Sequence, residues 1–447
     1  MQPMYFNHFK KFSFALLSAA FVLFLSSCGN KDDNFLNDGQ SLIQGGIFTQ
    51  VEDGQEINKE LEFPFDYVIR KRYVSLNEDF YQTTILEGKK DDKVVLNLFD
   101  DVSVTVKTTD LINKGDGITV WKGDIESKVY GRAIFTNLKT VVIGRIQIDD
   151  KMYRIWPANE RQMFIAEMDA SAFPDEYCSM QDEGLGNDVQ PELGPVAQER
   201  NTVMRVMLLF PRQMRNACQK VFGLRMSDLL KADYEENAED VFDAYGNTNI
   251  TLDINVVCLN NYSAVGGILS SDLNYIKSDA TISAMRDALR ADLVALIVPS
   301  SSYCGLAQYN TPPVNSSDIN RVFSVTKSSC ALDNYSFVHE IGHNLGLRHD
   351  RTASNYTSNA TCNFGHLIRV NNSVSSRTVM SYGSSCGNCS RVGRYSNNVT
   401  ETVRLPFGQN ITIEYGIDCR STFTGFFGPA DNQYHFQTSA GVVSSFR

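Results

Sequence analysis

The residues best equipped for chemistry lie in one short run, His339-Glu340-Ile341-Gly342-His343-Asn344-Leu345-Gly346-Leu347-Arg348-His349-Asp350. On a helix, side chains four apart leave the same face, so His339 and His343 can reach one cation with Glu340 beside them. Gly346 can adopt the left-handed conformation that ends a helix and turns the chain. That turn returns His349 as a third nitrogen. Three imidazoles with one open position describe a catalytic zinc site, whereas structural zinc is closed by four protein ligands. Imidazole donors also disfavour hard, oxygen-seeking cations. A bare H-E-x-x-H is a weak signal, but the chain has only 6 His, and the extended spacing is a strong one.

Further along stands Thr378-Val379-Met380-Ser381-Tyr382. A buried methionine alone is core filler. Together with the histidine run, Met380 resembles the metzincin signature, H-E-x-x-H-x-x-G-x-x-H followed by a Met-turn. The Asn344-Leu345-Gly346 core and Asp350 resemble the adamalysin (reprolysin) branch. Asp292-Leu293-Val294, Cys304-Gly305-Leu306-Ala307 and Arg394-Tyr395-Ser396-Asn397 resemble bacterial reprolysin-like and peptidyl-Asp metallopeptidases, and the overall plan is similar to fragilysin-type enzymes.

The resemblance implies a zinc-dependent endopeptidase acting on protein or peptide substrates. It makes His339, His343 and His349 the zinc ligands, Glu340 the general base and Met380 the residue beneath the metal. Glu340 would take a proton from the attacking water and pass it to the leaving amine. Tyr382 stands where astacin- and serralysin-like enzymes place a tyrosine near the metal, so it is either an oxyanion stabiliser or a packed ring. Asp350 is expected to anchor the loop after His349. His366 is either a fourth nitrogen ligand or an ordinary histidine. The peptidyl-Asp resemblance implies acidic residues after the cut. The competing reading is a surface adhesion or binding lipoprotein carrying a relic zinc site; intact Glu340 speaks against it.

Two kinds of segment must position these residues. Residues 29–180 read as a β-rich pro-domain, with short strand-forming runs at Val94–Phe99, Val102–Val106, Ile118–Trp121, Tyr130–Phe135, Val141–Ile148 and Met152–Trp156. Residues 201–447 read as an α/β catalytic domain with a mixed, mainly parallel sheet and the zinc-binding helix. Buried strands are expected at Val203–Phe210, Asp292–Val298 and Val322–Thr326, and helices over Ser227–Tyr245 and Thr281–Arg290. The whole is α+β and multidomain. Specificity is expected from residues 383 to 410 and from an edge strand near Val322.

Residues 1–28 read as an address. Lys10 and Lys11 precede the apolar stretch Phe14–Leu25, and Leu25-Ser26-Ser27-Cys28-Gly29 resembles a lipobox with Cys28 as the acylated residue. Lys31-Asp32-Asp33 resembles an acidic surface-export tag. A bacterial outer-membrane or cell-surface lipoprotein follows as the expectation. A net charge of −11 without a basic run excludes a nucleic-acid partner.

The polar segment 181–200 reads as an activation linker, with Arg200 the cutting point for a trypsin-like protease. Of 10 Cys, one is Cys28. A cut after Arg200 leaves Cys218, Cys258, Cys304, Cys330, Cys362, Cys386, Cys389 and Cys419, an even set whose pairing sequence does not fix, with Cys304 and Cys330 one suggested pair. Cys178 is left over. It resembles a cysteine switch that occupies the open zinc position in the precursor; Asp175 is the alternative, and a free thiol the third.

Overall fold

The computed structural model describes residues 46–51, 66–174 and 202–447, apart from positions 78, 80, 127, 129, 140, 160–161, 222–223, 243–249, 266, 359–360, 405–409, 423–424 and 426–427. The leader with Cys28, and Asp175, Cys178 and the segment 181–200 with Arg200, lie outside the described residues. Ser41–Arg447 is one compact unit. Among the described residues no helix is long and apolar enough to cross a membrane.

The first half is a nine-stranded antiparallel sheet made by β1 (Phe48–Gln50), β2 (Val68–Leu76), β3 (Lys93–Phe99), β4 (Val102–Gly115), β5 (Ile118–Ile125), β6 (Gly131–Leu138), β7 (Val141–Ile148), β8 (Lys151–Pro157) and β9 (Met163–Met168). Its order is β1-β2-β9-β8-β7-β6-β5-β4-β3. The sheet curls until its two edges meet. Asn97 on β3 accepts from the Phe48 N–H at 2.9 Å and donates to the Phe48 carbonyl at 2.7 Å, so one side-chain amide stands in for the missing ladder. Strand side chains alternate faces, and here both faces are buried. Val142, Ile146 and Ile148 join a core inside the curl with Trp121 and Phe135, while Val141 and Ile143 face the second half of the chain.

The second half is built on β10 (Thr202–Pro211), β13 (Ile250–Leu259), β14 (Leu293–Val298), β15 (Gly305–Ala307) and β16 (Phe323–Lys327), in the order β13-β10-β14-β16-β15; a small hairpin of β11 (Lys220–Val221) and β12 (Leu224–Arg225) lies between. All neighbours are parallel except β15, which runs antiparallel to β16. Crossover helices must cover such a sheet. Helix α1 (Met226–Phe242) covers one face, and α2 (Leu269–Ser278) with α3 (Ala280–Leu289) covers the other. β10 serves both cores, with Met204, Val206 and Leu208 on the α1 side and Met207 and Leu209 opposite.

One feature departs from the sequence reading. The edge strand is β15, not the strand after Val322, because three residues carry too short a pattern to be read as a strand. The polar face of α1 is buried, with Asp233, Glu236 and Asp240 all nearly inaccessible, because the nine-stranded sheet lies over it. A further small sheet, in the order β18-β17-β20-β19, joins β17 (Leu367–Val370), β18 (Ser373–Arg377), β19 (Thr400–Arg404) and β20 (Asn410–Glu414). Disulfides link Cys218 to Cys258, Cys304 to Cys330, Cys362 to Cys419 and Cys386 to Cys389.

Candidate active site

The active-site helix, Ser336–Asn344, runs beneath β15 and β16 and is buried throughout. Its chain turns away at Gly346, whose φ is 84°. A side chain there would press on the Asn310 carbonyl at 2.9 Å, so both conformation and space require glycine. The turn carries His349 back to the helix. The Nε2 atoms of His339, His343 and His349 then lie 3.2, 3.3 and 3.0 Å from one another.

Hydrogen bonding fixes what those nitrogens offer. The His339 Nδ1 lies 2.8 Å from the Val379 carbonyl, and the His343 Nδ1 lies 2.9 Å from the Leu347 carbonyl. A carbonyl only accepts, so in each ring Nδ1 carries the proton and Nε2 presents a lone pair. Lone pairs converging at this spacing repel unless a cation sits among them. Tetrahedral nitrogens at about 2.0–2.1 Å from zinc are themselves about 3.3 Å apart. The donor set therefore fits a metal.

Each neighbour has a visible reason for its place. Glu340 is buried, and its carboxylate lies against Gly305 of β15, where a Cβ would come within 2.2 Å of Oε1. Met380 packs under the helix at Gly342, where a Cβ would meet its sulfur at 2.5 Å. The preceding residue, Val379, is the one that orients His339. Tyr382 places its ring centroid 4.1 Å from that of His349. Asp350 ties the loop to this turn: its Oδ1 accepts from the N–H groups of Thr352 and Ala353, and its Oδ2 from the Tyr382 N–H and the Ser385 hydroxyl.

His366 is not with the three histidines. Its Nε2 is 3.1 Å from Glu414 Oε1, and burial holds its pKa below the ordinary value against the pull of that carboxylate. A second cluster, Cys362, Cys419 and His435, also has metal-ligand types, but its cysteines form a disulfide. Gly305, Gly342 and the orienting carbonyls of Val379 and Leu347 escaped the sequence reading. Only a spacing argument for glycine inside H-E-x-G-H could have flagged Gly342.

The Reprolysin_5 pattern of metallo-peptidase family M12 matches residues 225–396. Residues 225–396 are an M12 metallopeptidase domain. The peptidyl-Asp metalloendopeptidase of Stenotrophomonas maltophilia (strain R551-3) is 26% identical over 315 residues, covering 68% of this chain and 68% of the relative. That of Xanthomonas campestris pv. campestris is 25% identical over 334 residues, covering 70% and 76%. Metalloproteinase-II from Bacteroides fragilis overlays with a TM-score of 0.37 at 12% identity, covering 61% of this chain and 86% of that one. The metzincin resemblance read from the histidine run and the M12 match thus converge on the same enzyme class.

Proposed function

We propose that this M12 metallopeptidase is a zinc-dependent endopeptidase, with His339, His343 and His349 holding the zinc and Glu340 moving the proton. The observation that carries this is the triangle of inward-facing Nε2 lone pairs with a buried carboxylate beside it. Bound zinc supplies Lewis-acid polarisation of the scissile carbonyl and makes water acidic enough to attack near neutrality. Glu340 accepts the water proton and delivers it to the leaving amine. Tyr382, packed on His349, is the donor for the developing oxyanion. An extended substrate pairs with the free edge of β15, where main-chain hydrogen bonds give affinity. The relatives' names support an acidic residue next to the cut.

The chain is made as a latent lipoprotein, in our reading: 1–28 as signal, Cys28 acylated, residues 29–180 as pro-domain, and activation by a trypsin-like protease near Arg200. Cys178 or Asp175 supplies the latency contact, and the bacterial outer membrane or cell surface is the location. Sequence patterns alone support these points.

The test pairs metal content with cleavage of an unstructured protein such as casein, using full-length chain cut near Arg200 and its Glu340→Ala variant. Zinc retained by both, with cutting lost only in the variant, is the expected result. Absence of cutting by the parent across a broad peptide library would leave a zinc-binding relic.

A further inference from the structure

The buried ions between the nine-stranded sheet and α1 pair among themselves. Arg154 of β8, 1% exposed, donates to both carboxylate oxygens of Asp233 and lies 3.2 Å from Asp333. Thr326 of β16 is different. It is fully buried, and its hydroxyl has no hydrogen-bond partner among the described residues. Valine has the same shape and suits a buried strand, whereas an unmet hydroxyl in a dry interior bears the full loss of its water. A threonine here therefore calls for a partner that this side chain meets in use.

The ladder between β15 and β16 fixes which way the Thr326 side chain points. Lys327 donates its N–H to the Cys304 carbonyl at 2.8 Å, and Gln308 donates its own to the Phe323 carbonyl at 3.1 Å. Bonded and non-bonded rungs alternate along an antiparallel pair, so the rung of Gly305 with Thr326, between these two, is a non-bonded one. Residues of such a rung send their side chains to one face, with Cβ atoms about 4.5–5.5 Å apart. At Gly305 no side chain fills that face: the position a Cβ would take lies 2.2 Å from Glu340 Oε1 and 2.8 Å from Glu340 Cγ. The Glu340 carboxylate enters this notch and faces the Thr326 hydroxyl across it. The same alternation turns the Gly305 N–H and carbonyl toward the free edge, so a substrate strand paired there lies beside the notch. Ser328 and Ser329 also carry unpartnered hydroxyls, but they follow the end of β16.

We propose that Thr326 is a positioning residue for Glu340: its hydroxyl donates a hydrogen bond to one carboxylate oxygen and aims the other at the attacking water. A turn of the hydroxyl and a small shift of the Glu340 side chain complete the contact, a tightening common where a site goes from rest to work. A hydroxyl given to a carboxylate is a charge-assisted bond, short and directional. Held at one oxygen, the carboxylate keeps its proton-accepting oxygen in place through the transfer. Gly305 makes the room and Thr326 supplies the donor. The role presupposes that Glu340 carries the proton, as proposed above.

Thr326→Val and Thr326→Ser are compared with the parent in the full chain, cut near Arg200 and loaded with zinc. Thr326→Val is expected to lower kcat roughly tenfold or more, with KM within about twofold and metal content unchanged. Thr326→Ser keeps a hydroxyl and is expected to recover most of the loss. A Thr326→Val enzyme with the parent's kcat, or one whose loss lies in KM, would overturn the proposal. Melting temperature gives a readout apart from cleavage. Thr326→Val is expected to lower it in the parent, but to leave it equal or higher in a Glu340→Leu background, where the notch is filled and holds no acceptor. An equal fall in both backgrounds would make Thr326 a packing residue and nothing more, against the proposal. Cleavage by Glu340→Ala at the parent's rate sinks the proton-carrier reading instead, and the melting comparison still decides whether the two side chains meet.

Discussion

Gly305→Ala adds one methyl group to β15 and places it 2.2 Å from Glu340 Oε1 and 2.7 Å from Glu340 Cδ. Gly305 does not use a backbone conformation reserved for glycine, since its φ lies outside the left-handed region, so alanine costs nothing in backbone strain. Ordinary contact begins at 3.4 Å, so the carboxylate must retreat by about 1.2 Å. A displacement of this size at a catalytic group lowers the rate by roughly 10²-fold, about 2.7 kcal/mol of barrier. The metal should be untouched, because His339 and His343 are oriented by the Val379 and Leu347 carbonyls, away from β15. Steady-state cleavage of a quenched fluorescent peptide, with metal stoichiometry measured on the same sample, gives both readings. Gly441→Ala, where a Cβ meets nothing within 4 Å, is the matched control and should leave activity unchanged. Cleavage by Gly305→Ala within threefold of the parent would refute the packing argument, and so would loss of bound metal.

Asp350→Ala removes the acceptor for four donors, including the Tyr382 N–H. It should cost about 2–4 kcal/mol in a denaturant titration and lower kcat more than it changes KM. Burial pushes the His435 pKa down to about 4 from 6.5. The unfolded chain therefore binds the extra proton first, and this group withdraws up to about 3 kcal/mol of stability as pH falls from 6.5 to 4. Asp333 and Asp431, raised by burial to about 6, work in the opposite sense, each adding stability as pH falls from 6 towards 3.8. The difference between parent and His435→Gln melting curves across that range isolates the histidine, and a constant difference would contradict its burial as a neutral ring. Chelation should abolish cleavage and lower the melting temperature, with zinc restoring both. A chelated sample that melts like the loaded enzyme would mean that the histidine triangle holds no metal.

Local chemistry was legible and long-range cover was not. The spacing of His339, His343 and His349 can be read because helix geometry and one glycine turn carry it, and their Nε2 atoms do lie together. Val141–Ile148 reads as a strand from its β-branched run and is β7. The burial of the acidic residues of α1 was not legible, since pattern reports polarity and not what lies above it. Their cover, Arg154 and its neighbours, is some 80 residues away in sequence, with 79 separating Arg154 from Asp233. Asn97 gave no sign that it would join two sheet edges, because that role exists only once nine strands have curled. Gly305 and Gly342 are legible only as spaces, which sequence does not show.

The Arg154 cluster has a consequence for descent. With Asp233 and Asp333 both facing one guanidinium, loss of that arginine leaves two acids confronting each other in the dry interior. Lineages of this protein are therefore expected to change these positions as a set or leave them alone. Hybrids that take their first half from one relative and their second half from another should inherit mismatched charge at this spot. The two halves of the gene are bound to a common history by a contact that never touches substrate.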